Sequence, residues 1–145
     1  MRVRLEKDGA AIQLDGPPMA RGGEAAIFAL PERAALLGKL YHKPTPEQAD
    51  KLAVMIANPP ADPTAKQGHA SIARPAERLL DDAEPGRCVG FVMPRVEKSR
   101  PLFDAFNPKS RLQAWPLFHY GYLLRTARNL AAAVRALHAR GYVLG

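Results

Sequence analysis

The stretch Met19-Ala20-Arg21-Gly22-Gly23-Glu24-Ala25-Ala26-Ile27-Phe28 places two adjacent glycines between short apolar runs, and Lys39 follows Ile27 by twelve residues. Glycine has no Cβ, so the backbone can bend tightly there and its N–H groups can approach a bulky anion. Lys39 lies in a second apolar run, residues 34–41, which predicts a charge emerging from an otherwise buried strand. A plain hairpin with one surface lysine has the same pattern, so the elements downstream must decide between the two.

The composition is that of one ordinary globular core. Of 145 residues, 47% are hydrophobic and 24% are charged. The single cysteine, Cys88, cannot form an intrachain disulfide, and no apolar run is long enough to span a bilayer, so we predict a cytoplasmic protein without membrane contact. His42, His69 and His119 have no partner at metal-ligand spacing and are assigned no chemistry.

The net charge of +7 predicts an anionic partner: a nucleotide, a nucleic acid or an acidic peptide. The basic residues are scattered and form no run of four or more. Direct nucleic-acid binding by this stretch is therefore not the favoured interpretation.

The first part of the chain is predicted to be mainly strands with one helix. A hairpin over 3–14 precedes the glycine turn and its two strands, and the strand with Lys39 follows. Thr45 is a candidate N-cap for a helix over 46–57, in which Val54 is predicted to face the core. The remaining predicted elements are a loop over 61–71 and two strands over 72–80 and 87–96.

From residue 101 onwards the pattern changes to helices. Residues 101–106 predict a short turn and Asn107-Pro108-Lys109 a loop. A long helix is predicted over 116–139, with apolar residues at helical spacing along 123–137 and Gly141 as its stop. If that apolar side is exposed, it favours dimerisation through this helix.

This order of elements resembles a protein-kinase N-lobe followed by the start of a C-lobe, which implies an α+β fold. The N-lobe would be a five-stranded antiparallel sheet with one helix over 1–96, and the first C-lobe helices would occupy 97–145. More narrowly, the chain resembles the bacterial Ser/Thr protein kinase-like family, whose members are often linked to a helix-hairpin-helix DNA-binding region. The tracts that carry the resemblance are Gly22-Gly23-Glu24-Ala25-Ala26-Ile27-Phe28, Lys39-Leu40-Tyr41-His42, Ala57-Asn58-Pro59-Pro60, Val89-Gly90-Phe91-Val92-Met93-Pro94-Arg95 and Ala136-Leu137-His138-Ala139-Arg140-Gly141.

The resemblance implies an ATP site on the strands. Gly22 matches the middle glycine of the kinase G-x-G-x-x-G-x-V loop, Gly23 follows it, and Ile27 matches the valine that packs on adenine. Ala20 and Ala25 stand at the outer glycine positions. Lys39 resembles the lysine that holds the α- and β-phosphates and pairs with a carboxylate on the following helix.

Two acids could be that carboxylate. Asp50 is preferred because it lies one turn before Val54, so both side chains are predicted to point towards the core. Glu47 lies at the helix start, where stabilisation by the helix dipole explains an acid equally well.

Met93-Pro94-Arg95-Val96 resembles the gatekeeper and hinge of a kinase. Adenine would be recognised there by backbone groups, with Pro94 supplying a carbonyl and Val96 an N–H. Proline has no N–H, so its position agrees with this pattern.

Residues 137–145 resemble the lead-in to the catalytic loop. The base aspartate, the loop asparagine and the Asp-Phe-Gly segment that binds Mg²⁺ are not in this chain. The resemblance therefore implies the ATP-binding half of a Ser/Thr kinase-like phosphotransferase, with ATP and Mg²⁺ as cofactors and no activity in these residues alone. The alternative is a pseudokinase-type interaction module that docks partners without phosphotransfer.

Overall fold

A computed structural model of the chain describes residues 1–68, 70–97 and 99–143. It has the predicted α+β composition and divides into two compact units. The first unit comprises Met1–Pro59 and Ala73–Arg95, and the second comprises Pro60–Ile72 and Val96–Gly145. The lobe boundaries at 1–96 and 97–145 stay a prediction. None of the helices in the described residues combines the length and hydrophobicity needed to span a bilayer.

The first unit is built on one antiparallel sheet. Its strands are β1 (Arg2–Leu5), β2 (Ala11–Gln13), β3 (Ala20–Arg21), β4 (Ala25–Ala29), β5 (Leu36–Tyr41), β6 (Glu77–Asp81) and β7 (Cys88–Pro94), in the spatial order β2-β1-β6-β7-β5-β4-β3. The five predicted strands correspond to β3 to β7. The predicted N-terminal hairpin is β1–β2, and it extends the same sheet beyond β6.

One face of the sheet carries the main hydrophobic core. Leu40 lies opposite Gly90, Gly90 opposite Leu79, and Leu79 opposite Leu5, so these positions form one row across four strands. The buried cluster joins side chains from both halves of the strand order, which means that the sheet curls around it. Its buried members are Val3, Leu5, Leu14, Leu30, Leu40, Leu79, Val89 and Val92.

The other face is covered in part by helix α1 (Pro46–Ala57). Leu52 is buried against Phe91 and Cys88 in a second, smaller cluster. The helix has the predicted bounds because Thr45 caps it: the Thr45 hydroxyl accepts from the Gln48 N–H, and the Gln48 side chain accepts from the Thr45 N–H.

The predicted strand over 72–80 begins only at Glu77. Pro75 has no N–H to donate to a neighbouring strand, which shortens the element from its start. Ala76 makes a single backbone hydrogen bond to Val92 before the strand proper. The next predicted strand, 87–96, is β7 and ends at Pro94.

The second unit contains α2 (Leu102–Phe106), α3 (Pro108–Ala114) and α4 (Tyr120–His138). The predicted loop over Asn107-Pro108-Lys109 is wrong, because Asn107 Oδ1 accepts from the Ser110 N–H at 3.1 Å and Pro108 is the first helical residue. The long helix predicted from 116 starts at Tyr120, where His119 Nδ1 accepts from the Gly121 N–H.

Asp62 organises the loop predicted over 61–71. Its carboxylate accepts from the Ser71 hydroxyl at 2.6 Å, from the Ser71 N–H at 2.8 Å and from the Ile72 N–H at 3.0 Å. Burial raises the pKa of this carboxyl, but the hydrogen bonds from Ser71, Thr64 and Ile72 outweigh burial and hold the pKa well below its usual value.

Gly90→Ala should destabilise the first unit by about 3 kcal/mol, since a Cβ at residue 90 would lie 2.1 Å from the Lys39 carbonyl oxygen and force β5 and β7 apart. Gly23→Ala is the matched control, because a Cβ there meets nothing within 4 Å. Urea unfolding followed by circular dichroism measures both. Equal stabilities of the two variants would contradict the close approach of β5 and β7.

Asp62→Asn should destabilise the 60–72 loop by about 2 kcal/mol at neutral pH, because an amide replaces a carboxylate that accepts several hydrogen bonds. The folded-state pKa is depressed, so this stabilisation is present above the unfolded pKa of about 3.9 and is lost as the pH falls through the folded value. Thermal unfolding of native and variant chains at pH 7 and pH 3 should show a smaller difference at pH 3. A difference that grows towards acid would contradict this assignment.

Candidate functional site

The glycine turn, defined as residues 22–25, joins β3 to β4. The Gly22 N–H donates to the Ala25 carbonyl at 2.9 Å and closes the turn. The N–H groups of Gly23 and Glu24 have no hydrogen-bond partner in the part of the chain that the structure describes. Two successive free amides at the tip of a turn can bind an anion.

The two glycines are not there for an unusual backbone conformation. Neither Gly22 nor Gly23 has a positive φ, and the space around Gly23 is open. Because glycine has no side chain, these two residues leave the backbone of the turn accessible to a ligand. Ala20 and Ala25, at the outer glycine positions, lie in β3 and β4, where alanine is unstrained.

The strand register places Lys39 on the same face of the sheet as Ile27. Ile27 pairs with Lys39, and Lys39 pairs with Phe91 on the other side. Residues directly opposite one another in antiparallel strands project from the same face, so the structure brings Ile27 and Lys39 together. This is also the face on which α1 packs.

Lys39 is half-buried, and its Nζ lies 5.7 Å from the centroid of the Phe91 ring. At that distance the ring attracts the ammonium group. Among the described residues, no ion pair joins Lys39 to a carboxylate. In the part of the chain that the structure describes, Lys39 Nζ makes no hydrogen bond either, so the ammonium can still donate to a ligand.

The argument that selected Asp50 was wrong, because Val54 is 57% exposed and does not face the core. Asp50 is exposed too, and it lines a shallow cleft together with Arg78 and Cys88. Asp50 as the partner of Lys39 stays a prediction.

Glu47 lies at the start of α1. Its own backbone N–H and the Thr45 hydroxyl hold the pKa of its carboxyl below the usual value. This agrees with the interpretation of Glu47 as an acid stabilised by the helix terminus.

The hinge-like tract is divided between the units. Met93 pairs with Leu37 and packs against the cluster around Phe91, and Pro94 is the last residue of β7. The Arg95 N–H donates to the Ala35 carbonyl at 2.8 Å, so the backbone pairing between β7 and the β5 segment continues one residue beyond Pro94. Val96 belongs to the second unit and is 43% exposed.

Two side chains that the sequence interpretation missed contact the glycine turn. His42 Nε2 lies 2.9 Å from the Gly22 carbonyl oxygen, and Gln48 Nε2 donates to Glu24 Oε1 at 3.0 Å. The Thr45-x-x-Gln48 capping pattern was visible in the sequence, but nothing local indicated that the same glutamine would reach residue 24.

The histidine, cysteine and acidic side chains outside the glycine turn form no second candidate site among the described residues. The described residues contain no group of three or more histidine, cysteine, aspartate or glutamate side chains that could hold a metal ion. Cys88 is buried, and burial raises the pKa of its thiol, which makes it a poor nucleophile. His69 and the tract Leu144-Gly145 lie outside the described residues.

Two curated proteins are similar to this chain: Protein kinase YegI from Escherichia coli strain K12 and Protein kinase YegI from Escherichia coli O157:H7. Each is 33% identical over 131 residues, which is 90% of this chain and 19% of the relative. The chain therefore spans about a fifth of the length of these relatives. The similarity relates the chain to a bacterial protein kinase. No family model and no solved structure matches it.

Thr45→Ala should destabilise the first unit by about 1 kcal/mol, because it removes the hydroxyl that caps α1 next to the site. Thr45→Ser keeps the hydroxyl and should stay close to the native chain. Thermal unfolding followed at 222 nm measures the difference. A serine variant as unstable as the alanine variant would mean that the cap is not what stabilises this helix start.

Proposed function

We propose that this chain is the ATP-binding part of a bacterial Ser/Thr protein kinase-like phosphotransferase. The observation that carries the proposal is the register that sets Lys39 on β5 opposite Ile27 on β4, the strand that follows the glycine turn. Among the described residues, the Lys39 ammonium forms no ion pair and the N–H groups of Gly23 and Glu24 form no hydrogen bond, so all three can bind phosphate oxygens. The 33% identity to a protein kinase over 131 residues supports the same function.

In this proposal each group has a separate role. The Gly22-Gly23 turn presents the N–H groups of Gly23 and Glu24 to the phosphates, Lys39 holds the α- and β-phosphates, and Ile27 packs on adenine. Met93, Pro94 and Val96 form the hinge that recognises the adenine edge. ATP supplies the phosphoryl group, and Mg²⁺ neutralises its charge.

The proposal assigns negligible phosphotransfer to residues 1–145 alone. These residues contain neither an Asp-x-x-x-x-Asn loop nor an Asp-Phe-Gly triplet, the elements that supply the base and the Mg²⁺ ligands in protein kinases. A cytoplasmic location is also part of the proposal.

The second candidate is a pseudokinase-type module that binds partners and transfers no phosphate. It is favoured because no ion pair joins Lys39 to a carboxylate among the described residues. Exposed apolar side chains on α4, including Leu124 at 55% and Leu130 at 46%, support docking or dimerisation through that helix.

Lys39→Ala should weaken binding of a fluorescent ATP analogue in Mg²⁺ by about tenfold, the loss expected for one charge-assisted contact to phosphate. Lys51→Ala is the matched control, because Lys51 is exposed on α1 and its removal changes the net charge equally. Fluorescence titration measures both affinities. Equal affinities of the native chain and Lys39→Ala would remove Lys39 from the site, and turnover by residues 1–145 would refute the predicted inactivity.

A further inference from the structure

We propose that His42, Glu24 and Gln48 form a clamp that positions the glycine turn for the nucleotide. The proposal rests on the proposed ATP site, and it treats the three side chains as positioning groups that act through the turn and not on the ligand. The turn clamp, as we name these three residues, lies entirely within the first unit.

His42 holds the turn from the end of β5. Its backbone N–H donates to the Glu24 carbonyl at 2.9 Å, which continues the pairing of β4 with β5 by one residue. Its Nε2 contacts the Gly22 carbonyl at 2.9 Å, and because a carbonyl only accepts, Nε2 must carry the proton. One residue thus binds the backbone on both sides of Gly23.

Gln48 holds the turn from the start of α1. Its Oε1 accepts from the Thr45 N–H at 3.1 Å, and its Nε2 donates to Glu24 Oε1 at 3.0 Å. The carbonyl end of the side-chain amide therefore caps the helix, while the amino end binds the turn. A glutamate could perform the first task but not the second, because an ionised carboxylate has no proton to donate.

The two contacts enclose the amides that the proposed site uses. His42 binds the Gly22 carbonyl and Gln48 binds the Glu24 side chain. Between these two contacts along the chain are the N–H groups of Gly23 and Glu24, which make no hydrogen bond among the described residues. Moving the turn away from α1 would break one of these hydrogen bonds. The clamp thereby orders the turn before the ligand binds, so that less conformational entropy is lost when the turn binds phosphate.

The chain offers a substitution that separates the clamp from the cap. Gln48→Glu keeps an acceptor for the Thr45 N–H and sets a carboxylate against Glu24. We expect about fivefold weaker binding of the fluorescent ATP analogue, the loss of one hydrogen bond. Amide exchange at Gly22, whose N–H donates to the Ala25 carbonyl, should become faster with an unchanged unfolding midpoint. His42→Phe, which keeps a ring without the donor, should change exchange and affinity in the same direction.

The reversed pair Glu24→Gln/Gln48→Glu supplies the rescue. It restores a donor opposite a carboxylate, so affinity and amide exchange should return to native values. Gln13→Glu is the matched control, because Gln13 Nε2 also donates to a carboxylate, that of Asp15 at 2.9 Å, and lies on β2 away from the turn. This control should leave both measurements unchanged.

The clamp is overturned if the Gly22 amide of Gln48→Glu exchanges at the native rate, or if the reversed pair fails to restore that rate. Loss of ATP affinity with Gln13→Glu as large as with Gln48→Glu would also overturn it, since charge alone would then explain the effect. A native chain that binds no ATP analogue would refute the proposed function instead, and amide exchange would still decide the clamp.

Discussion

The pairing of β5 with β4 on one side and β7 on the other is the constraint on which the candidate site depends. A slip of one residue in either pairing would turn Lys39 towards the opposite face, because side chains alternate along a strand. Gly90 helps to fix that pairing, since its missing side chain lets β7 approach the Lys39 backbone closely. The buried row that contains Leu40 and Leu79 opposes such a slip, because the slip would replace an apolar side chain in the core by that of Lys39.

The same arrangement explains how a lysine can be kept available. Phe91 gives the ammonium an aromatic surface without using its hydrogen bonds. Helix α1 covers part of this face through Leu52, while its acids, Glu47 and Asp50, are exposed. The face thus carries a positive charge beside the apolar side chains of Ile27 and Phe91.

Local signals predicted the fold better than the contacts of the site. The bounds of α1 follow from Thr45, Pro46 and the prolines after Asn58, all of which act within a few residues. Asn107 and Pro108 carry the same kind of signal, but asparagine followed by proline occurs both in loops and at helix starts, and here it starts α3. The exposure of Val54 could not be read from α1 itself, since it depends on how that helix is rotated against β7. The contact between Gln48 and Glu24 joins residues 24 positions apart, and only the tertiary structure creates it.

Both edges of the sheet are very short: β2 has three residues and β3 has two. Few backbone groups are left unpaired along these margins, so the long apolar strands β5 and β7 are shielded from edge-to-edge aggregation with other molecules. That protection leaves a weakness at one corner. A two-residue strand provides little stiffness of its own, so the β3–β4 hairpin takes its rigidity from contacts outside it, those of His42 and Gln48. The short β3 edge therefore limits aggregation and also makes local order depend on these side chains.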